Sequence, residues 1–307
     1  MRVLITGGSG FVGGHLATAL RREGAEVVSW GLAEAGSEPS VAVDLRDLRA
    51  VSAHDLTPFD AVIHLAGLAN VGRSFAEPAR YVSENSAMEV NLFETLLAQG
   101  AFPKVLVVST GAVYGSARGL ITEDTQVTVT SPYAVSKLTQ ELLGAYYGER
   151  GFEVVVARPF NHIGPGQQPG YLVADVASQI AAAERRGAGT VTVGDLSSAR
   201  DYTDVRDICA AYIALIRDGR AGEIYNVCTG DSHTGDEIVE RLLELTNSRV
   251  EVVRSAALTR PTDASVVRAS SQKLSQHTGW APSIALSATL ADTLEYWRSR
   301  VAAAALS

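Results

Sequence analysis

The length, composition and charge of the chain limit what it can be. It has 307 residues, of which 46% are hydrophobic and 20% charged, as expected for one large α/β domain or a domain with a smaller partner. The formal net charge of −8 argues against nucleic acid and anionic membrane surfaces as partners. No apolar run approaches the ~20 residues of a membrane span, and the chain begins directly on a strand pattern, so we expect a cytoplasmic protein.

The chain then alternates between strand-like and helical patterns. The strand-like runs are RVLITG, EVVSW, DAVIHLAG, KVLVVST and EVVVARPF. This alternation predicts an α/β fold with a Rossmann-type, doubly wound parallel sheet. We assign residues 1–160 and about 203–227 to a dinucleotide-binding domain, and residues 161–202 and 228–307 to a smaller α/β substrate domain.

The turn after the first strand, TGGSGFVGGHL, carries Gly7, Gly10 and Gly13 at a GxxGxxG spacing. Glycines between a strand and a helix let the backbone approach a pyrophosphate, which then lies at the positive end of the helix. The context therefore predicts dinucleotide binding.

The second strand ends at Gly31, where an acid would bind the adenosine ribose of NAD. No arginine replaces that acid, so NAD(H) and NADP(H) both stay open. The missing acid removes a repulsion against a 2′-phosphate and slightly favours NADP(H). Asp44 in VDLRD is placed to accept from the adenine amino group; the alternative is a solvated turn acid.

Thr110, Tyr133 and Lys137 form the candidate catalytic group. In SPYAVSK, Ser131 and Pro132 predict a helix start, which puts Tyr133 and Lys137 one turn apart on one face. The whole chain has three lysines, so chance alone seldom places one at this position. A nearby cation lowers the pKa of a phenol, ordinarily ~10, and the Thr110 hydroxyl can orient the same carbonyl oxygen.

Cysteine and histidine spacing predicts neither a disulfide nor a metal site. Cys209 and Cys228 each lie in an apolar segment, which indicates buried thiols. The six histidines are far apart in the sequence, and we expect no metal.

Together these motifs resemble the extended short-chain dehydrogenases/reductases of the nucleotide-sugar branch, over nearly the whole chain. The resemblance implies NAD(P) in the first domain and Thr110, Tyr133 and Lys137 as catalytic trio. It identifies HLAG as the strand end under the cofactor ribose, where His64 is alternatively a packed core residue. Asn85 matches a family asparagine near the active-site helix, or is a local cap. The implied cofactor contacts are Gly7, Gly10, Phe11, Val12, Gly13, Asp44, Leu45, Leu65, Ala66, Gly67, Tyr133, Lys137 and Pro159.

Within that family, RPFNHIGPGQ, YNVCTG and TGWAP most resemble the bacterial GDP-4-dehydro-6-deoxy-D-mannose reductases, which form GDP-D-rhamnose. RDY in place of RDF, and the looser RPTDASVV, depart from that pattern. The resemblance implies a nucleotide-diphosphate sugar as substrate. Arg200 and Arg260 are the candidate clamps on the diphosphate, with Asn161 as a neutral donor; each is alternatively a surface residue.

The segment STGAVYG narrows the chemistry. Family members that eliminate water resemble STDEVYG, with two acids after the threonine, and GDP-fucose synthases place a cysteine at the second position. Here these positions are Gly111 and Ala112, whose side chains have no group that can donate or accept a proton. Ketone reduction and NAD-dependent 4-epimerisation remain, and a non-catalytic sensor on the same fold is the third possibility.

Two apolar runs, LLGAYY after Tyr133 and VNLFETLL near residues 90–97, predict a homodimer, because such helices pair across a two-fold axis in the family. The alternative is that both runs pack into their own domain.

Overall fold

A computed structural model describes residues 1–32, 40–255 and 266–303. Its strands are β1 Arg2–Thr6, β2 Glu26–Gly31, β3 Ser40–Ala42, β4 Ala61–His64, β5 Lys104–Val108, β6 Leu120–Ile121, β7 Val154–Pro159, β8 Asn161–Ile163, β9 Ala188–Val193, β10 Ala199–Asp204, β11 Ile224–Val227, β12 Ser232–Thr234, β13 Arg249–Arg254 and β14 Arg268–Ala269. Its α-helices are α1 Phe11–Arg22, α2 Leu48–Ser52, α3 Val71–Ser74, α4 Pro78–Ala98, α5 Pro132–Gly148, α6 Leu172–Arg186, α7 Val205–Asp218, α8 Gly235–Glu244, α9 Gln272–Thr278 and α10 Leu286–Ala303.

The central sheet has the order β3-β2-β1-β4-β5-β7-β11, and every neighbouring pair is parallel. The chain therefore moves outward from β1 in both directions, which is the doubly wound arrangement. This confirms the predicted Rossmann-type fold class. Because the strands are parallel, β1, β4, β5 and β7 all end at one edge of the sheet.

Two apolar cores cover the faces of this sheet. One joins α1 and α7 to the sheet, and the other joins α4 to it. A third core lies between α6, α8, α10 and β9 and belongs to the smaller lobe. Leu274 of α9 and Trp280 belong to the first core, although we assigned residues 228–307 to the substrate domain. These two residues therefore pack on the first core, and the domain limits stay predictions.

Helix α5 begins as the sequence predicted. Ser131 is its N-cap and accepts a hydrogen bond from the Ala134 amide at 3.1 Å, and Pro132 occupies the first turn. This fixes the first helical residue, Pro132, directly before Tyr133.

The apolar run on α4 packs inward. Leu92, Phe93 and Leu96 are buried in the second core, whereas Val90 and Leu97 of the same run are half-buried. On α5, Leu142 is 65% exposed and Tyr146 54% exposed. The α5 run therefore keeps an outward apolar face, and pairing of the two helices with a second copy of the chain stays a prediction.

Cys209 and Cys228 are buried free thiols, as predicted. Within the described ranges, no group of three His, Cys, Asp or Glu side chains could hold a metal ion. None of the helices in that part of the chain has the length and apolar character needed to cross a bilayer.

Candidate active site

The glycine turn after β1 forms a cradle that side chains would fill. Gly7 has φ of +72°, and a Cβ there would lie 2.8 Å from the Ala66 amide nitrogen. A Cβ at Gly13 would lie 2.5 Å from the Gly7 carbonyl oxygen. Gly10 is the N-cap of α1 and makes no side-chain cap hydrogen bond, so the positive end of this helix begins at the cradle. These features fit the diphosphate of a dinucleotide.

Lys137 reaches from α5 to the ends of the strands. Its side chain is buried, and its Nζ donates to the Val108 carbonyl at 2.8 Å. A Cβ at Gly67 would lie 3.5 Å from the same Nζ. Lys137 therefore lies between the end of β5 and the HLAG segment after β4, where the resemblance places the cofactor ribose.

Tyr133 and Thr110 meet at the same edge. Thr110 is the N-cap of a short 3-10 helix at Gly111–Tyr114, and its Oγ1 accepts from the Ala112 amide at 3.2 Å. Tyr133 is 9% exposed, and its hydroxyl group is hydrogen-bonded with Thr110. The structure therefore brings together the three predicted catalytic side chains.

Burial shifts the pKa values of both Tyr133 and Lys137. Burial raises the pKa of Tyr133 to about 12, and the hydrogen bond with Thr110 only partly opposes the rise. Burial also lowers the pKa of Lys137 to about 8, against the attraction of Glu89 and Glu141. Burial is thus the largest influence on both side chains, and the lowering of the phenol pKa by Lys137 stays a prediction.

An aromatic ring packs against Gly111. A Cβ at this position would lie 2.9 Å from two carbon atoms of the Phe160 ring. Such a distance forces the ring or the backbone to shift. In this arrangement, Phe160 therefore occupies the space that a side chain at the first position after Thr110 would need.

His64 and Asn85 lie beneath the strand ends. His64 is fully buried with its pKa lowered to about 3 by desolvation, so it is a neutral, packed core histidine. Asn85 lies inside α4, where its Oδ1 accepts from the Leu68 amide at 2.7 Å and its Nδ2 donates to Ser136 Oγ at 2.9 Å. This position excludes a helix cap, and Asn85 instead ties the HLAG turn to α5.

Asp44 makes the contacts of a turn acid. Its Oδ1 accepts from the Arg46 amide at 3.0 Å, and the two side chains pair at 2.7 Å. Its contact with an adenine amino group stays a prediction. Leu45 and Ala66 are buried, whereas Phe11, Val12 and Leu65 are half-buried, and Pro159 ends β7.

Two of the three predicted diphosphate ligands lie on neighbouring strands. Asn161 pairs with Tyr202 in the parallel ladder of β8 and β10, two residues beyond Arg200. Arg200 is largely desolvated, which lowers the pKa of its guanidinium group. Arg260 lies outside the described residues.

The sequence did not single out the polar groups behind the site. Arg158 and Glu141 form a buried ion pair at 2.6 Å, and the Ser109 hydroxyl donates to Glu141. Tyr114 accepts from Arg158 at 2.8 Å and donates to Asn226 at 2.7 Å. Arg158 stands in the quoted RPFNH, but only the three-dimensional pairing shows that these groups anchor the ends of β5 and β7.

Comparisons with known proteins agree with this geometry. A model of the NAD dependent epimerase/dehydratase family matches residues 3–228. The GDP-6-deoxy-D-mannose reductase of Pseudomonas aeruginosa is 39% identical over 98% of each chain.

Solved structures show the same likeness. RMD from Pseudomonas aeruginosa, complexed with NADPH, matches with a TM-score of 0.88 and 35% identity over 97% of this chain and 99% of that one. The UDP-glucose 4-epimerase of Thermus thermophilus, in complex with NAD, matches with a TM-score of 0.86 and 31% identity over 97% and 99%. These matches confirm the resemblance to the extended short-chain dehydrogenases/reductases and the class of NAD(P)-dependent oxidoreductase. The chain belongs to the NAD dependent epimerase/dehydratase family.

Proposed function

We propose that the protein reduces the 4-keto group of a nucleotide-linked 4-keto-6-deoxyhexose, converting GDP-4-dehydro-6-deoxy-D-mannose to GDP-D-rhamnose. The likeness to the Pseudomonas aeruginosa reductase over 98% of each chain supports the substrate. The likeness to RMD complexed with NADPH supports NADP(H) as cofactor.

The observation that carries the proposal is the closed position at Gly111. Elimination of water from a sugar requires an acid to protonate the departing hydroxide. Gly111 and Ala112 supply none, and the Phe160 ring occupies the space that a side chain at residue 111 would enter. Reduction of a ketone needs only one hydride and one proton, which the remaining groups can deliver.

The side chains have separate tasks in that reduction. Bound reduced nicotinamide would supply the hydride to C4 of the sugar. Tyr133, with its pKa raised to about 12, keeps its proton at neutral pH and donates it to the developing alkoxide. Thr110 orients the carbonyl oxygen. Lys137, held by the Val108 carbonyl at 2.8 Å, would bind the nicotinamide ribose.

The diphosphate requires donors from the smaller lobe. Arg200 and Asn161 lie on adjacent strands, and a guanidinium group offers a planar fork to phosphate oxygens. We assign them, with Arg260, to the diphosphate of the substrate. The homodimer and the cytoplasmic location stay predictions.

The test supplies two substrates separately. With preformed GDP-4-keto-6-deoxymannose and NADPH, we expect one cofactor oxidised per sugar, followed by absorbance, and a 6-deoxy product with C3 and C5 unchanged by proton NMR. With intact GDP-mannose and oxidised cofactor, we expect no 4-keto-6-deoxy product. Dehydration of GDP-mannose, or solvent deuterium at C3 or C5, would overturn the assignment.

The 4-epimerase is the second candidate, favoured by the likeness to the Thermus thermophilus epimerase at a TM-score of 0.86. An epimerase re-reduces its own intermediate and keeps its cofactor through the cycle. Sugar conversion without net cofactor oxidation, together with NAD recovered bound after purification, would identify this activity.

A further inference from the structure

Glu89 is a buried acid that the proposed reaction does not use. It lies inside α4, is 0% exposed, and its two carboxyl oxygens have no hydrogen-bond partner among the described residues. A Cβ at Gly144 of α5 would lie 3.9 Å from Glu89 Oε1, so the carboxyl group faces α5. An ionised carboxylate at this helix contact would lack the donors that its charge requires.

The charged groups around Glu89 do not compensate its burial. On α5, Lys137 favours the ionised carboxylate and Glu141 opposes it, while Glu141 is itself paired with Arg158 from β7 at 2.6 Å. On β4, His64 is neutral. Burial is the largest effect and raises the pKa of Glu89 well above its ordinary value of 4.5, although Lys137 and the neighbouring side chain of Gln140 oppose the rise.

The side chain of Gln140 on α5 has a buried carbonyl oxygen that lacks a hydrogen-bond donor. One end of its amide lies 3.3 Å from the Asn85 carbonyl oxygen, which only accepts, so that end is the nitrogen Nε2. The same Nε2 lies 3.2 Å from His64 Nε2. The other end, Oε1, is buried and has no donor within the described part of the chain.

We propose that Glu89 is a neutral carboxylic acid that donates its proton to Gln140 Oε1, and that it acts as a positioning residue for the cofactor-binding strand ends. One proton then gives a hydrogen-bond partner to the protonated Glu89 oxygen, which donates, and to Gln140 Oε1, which accepts, while the second Glu89 oxygen remains an uncharged carbonyl. Gln140 keeps its two N–H groups for the Asn85 carbonyl and for His64.

This hydrogen bond sets the tautomer of His64. Since His64 Nε2 accepts from Gln140, the proton lies on Nδ1, which is 2.8 Å from Thr6 Oγ1. Thr6 Oγ1 also accepts from the Ala66 amide at 3.3 Å. The chain of hydrogen bonds from Glu89 therefore ends where β1 leads into Gly7 and where HLAG begins, which is the edge that would hold the cofactor.

Spectroscopy of the wild-type protein tests the protonation directly. We expect an infrared carbonyl band of a protonated carboxylic acid at neutral pH, absent from Glu89→Gln, and a ¹⁵N NMR signal of His64 as the Nδ1–H tautomer. A difference spectrum without this band would overturn the proposal. An Nε2–H tautomer of His64 in the wild-type protein would overturn it even if every variant failed to fold.

Two substitutions test the positioning role. Glu89→Gln retains an N–H donor toward Gln140 Oε1, so the dissociation constant of NADPH should stay at the wild-type value. Glu89→Met removes the donor and should raise that constant about tenfold, the effect of one lost buried hydrogen bond, with a smaller change in kcat. Leu92→Met, a buried swap one turn along α4, is the control and should leave it unchanged. Equal affinities for the Gln and Met variants would refute the positioning role.

Discussion

The hydroxyl group of Tyr133 is the proposed proton donor, and Tyr133→Phe removes it while keeping the ring that fills the site. We expect turnover to fall by about 10² to 10⁴ and the dissociation constant of NADPH to change little. Lys137→Met should lower turnover and raise the dissociation constant of NADPH, because Lys137 lies against the HLAG segment as well as the strand end. Stopped-flow turnover and fluorescence titration measure the two effects. Near-wild-type turnover of Tyr133→Phe would mean that the proton comes from another group.

The buried proton of Glu89 should also appear in the stability of the protein. The folded-state pKa lies well above the ordinary value of 4.5, so above this pH the folded chain binds one proton more than the unfolded chain. The contribution of Glu89 is present in full below the unfolded pKa and is lost as the pH rises toward the folded pKa.

Glu89→Gln abolishes that titration. From about pH 4.5 upward, the free energy of unfolding of the variant should therefore gain on the wild type by about 1.4 kcal/mol per pH unit, until the folded pKa is reached. Urea unfolding at several pH values measures the difference. A difference that does not vary with pH would show that Glu89 is ionised in the folded protein.

At the residue scale, the catalytic trio could be predicted because its spacing is local and its chemistry demands particular side chains. The pKa of Tyr133 could not, since desolvation depends on burial that only the packed structure shows. Phe160 is part of the quoted RPFNH, but its contact with Gly111 could not be predicted, because it joins the end of β7 to the turn after β5. Glu89 and Gln140 lie 51 residues apart, and no local pattern connects them.

At the scale of the element, Gly13 and Gly14 of α1 differ in what surrounds them. A Cβ at Gly13 would lie 2.5 Å from the Gly7 carbonyl, whereas a Cβ at Gly14 would meet no heavy atom of the described residues within 4 Å. Gly13→Ala should therefore distort the turn and weaken NADPH binding. Gly14→Ala should raise the free energy of unfolding by about 0.5–1 kcal/mol through helix propensity and leave the affinity unchanged.

Thermal unfolding and cofactor titration of the two variants separate these effects. Wild-type affinity in Gly13→Ala would argue that the turn can relax away from the clash, and weakened binding in Gly14→Ala would mean that the cofactor contacts this helix face.

Strands could be predicted from the sequence where a continuous apolar run was present. The five strand-like runs became β1, β2, β4, β5 and β7, because buried parallel strands are continuous apolar segments. The packing of α4 could not be predicted, since VNLFETLL is apolar whether the helix packs on its own sheet or on a partner. Only the structure shows that Leu92, Phe93 and Leu96 are buried.

At the scale of the whole molecule, the sheet order explains why distant motifs form one site. β1, β4, β5 and β7 are parallel neighbours, so the segments after them meet at one edge. The sequence indicates each segment, and the alternation of strands and helices indicates the sheet. The arrangement of the smaller lobe was harder to predict, because its β8, β10 and β12 combine a parallel and an antiparallel pair without a repeated unit.

The assembly of the molecule is tested through α5. Val135, Leu142 and Tyr146 follow one another at intervals of seven and four residues, so they share one face of the helix, and they are 38%, 65% and 54% exposed. We expect this face to pair with a second copy of the chain. Leu142→Arg places a charge in such a contact and should convert a dimer to a monomer in light scattering at micromolar concentration. Val253→Arg, at a 40% exposed position of β13, is the matched control and should stay dimeric. A monomeric wild type, or a Leu142→Arg variant that remains a dimer, would reject pairing through α5.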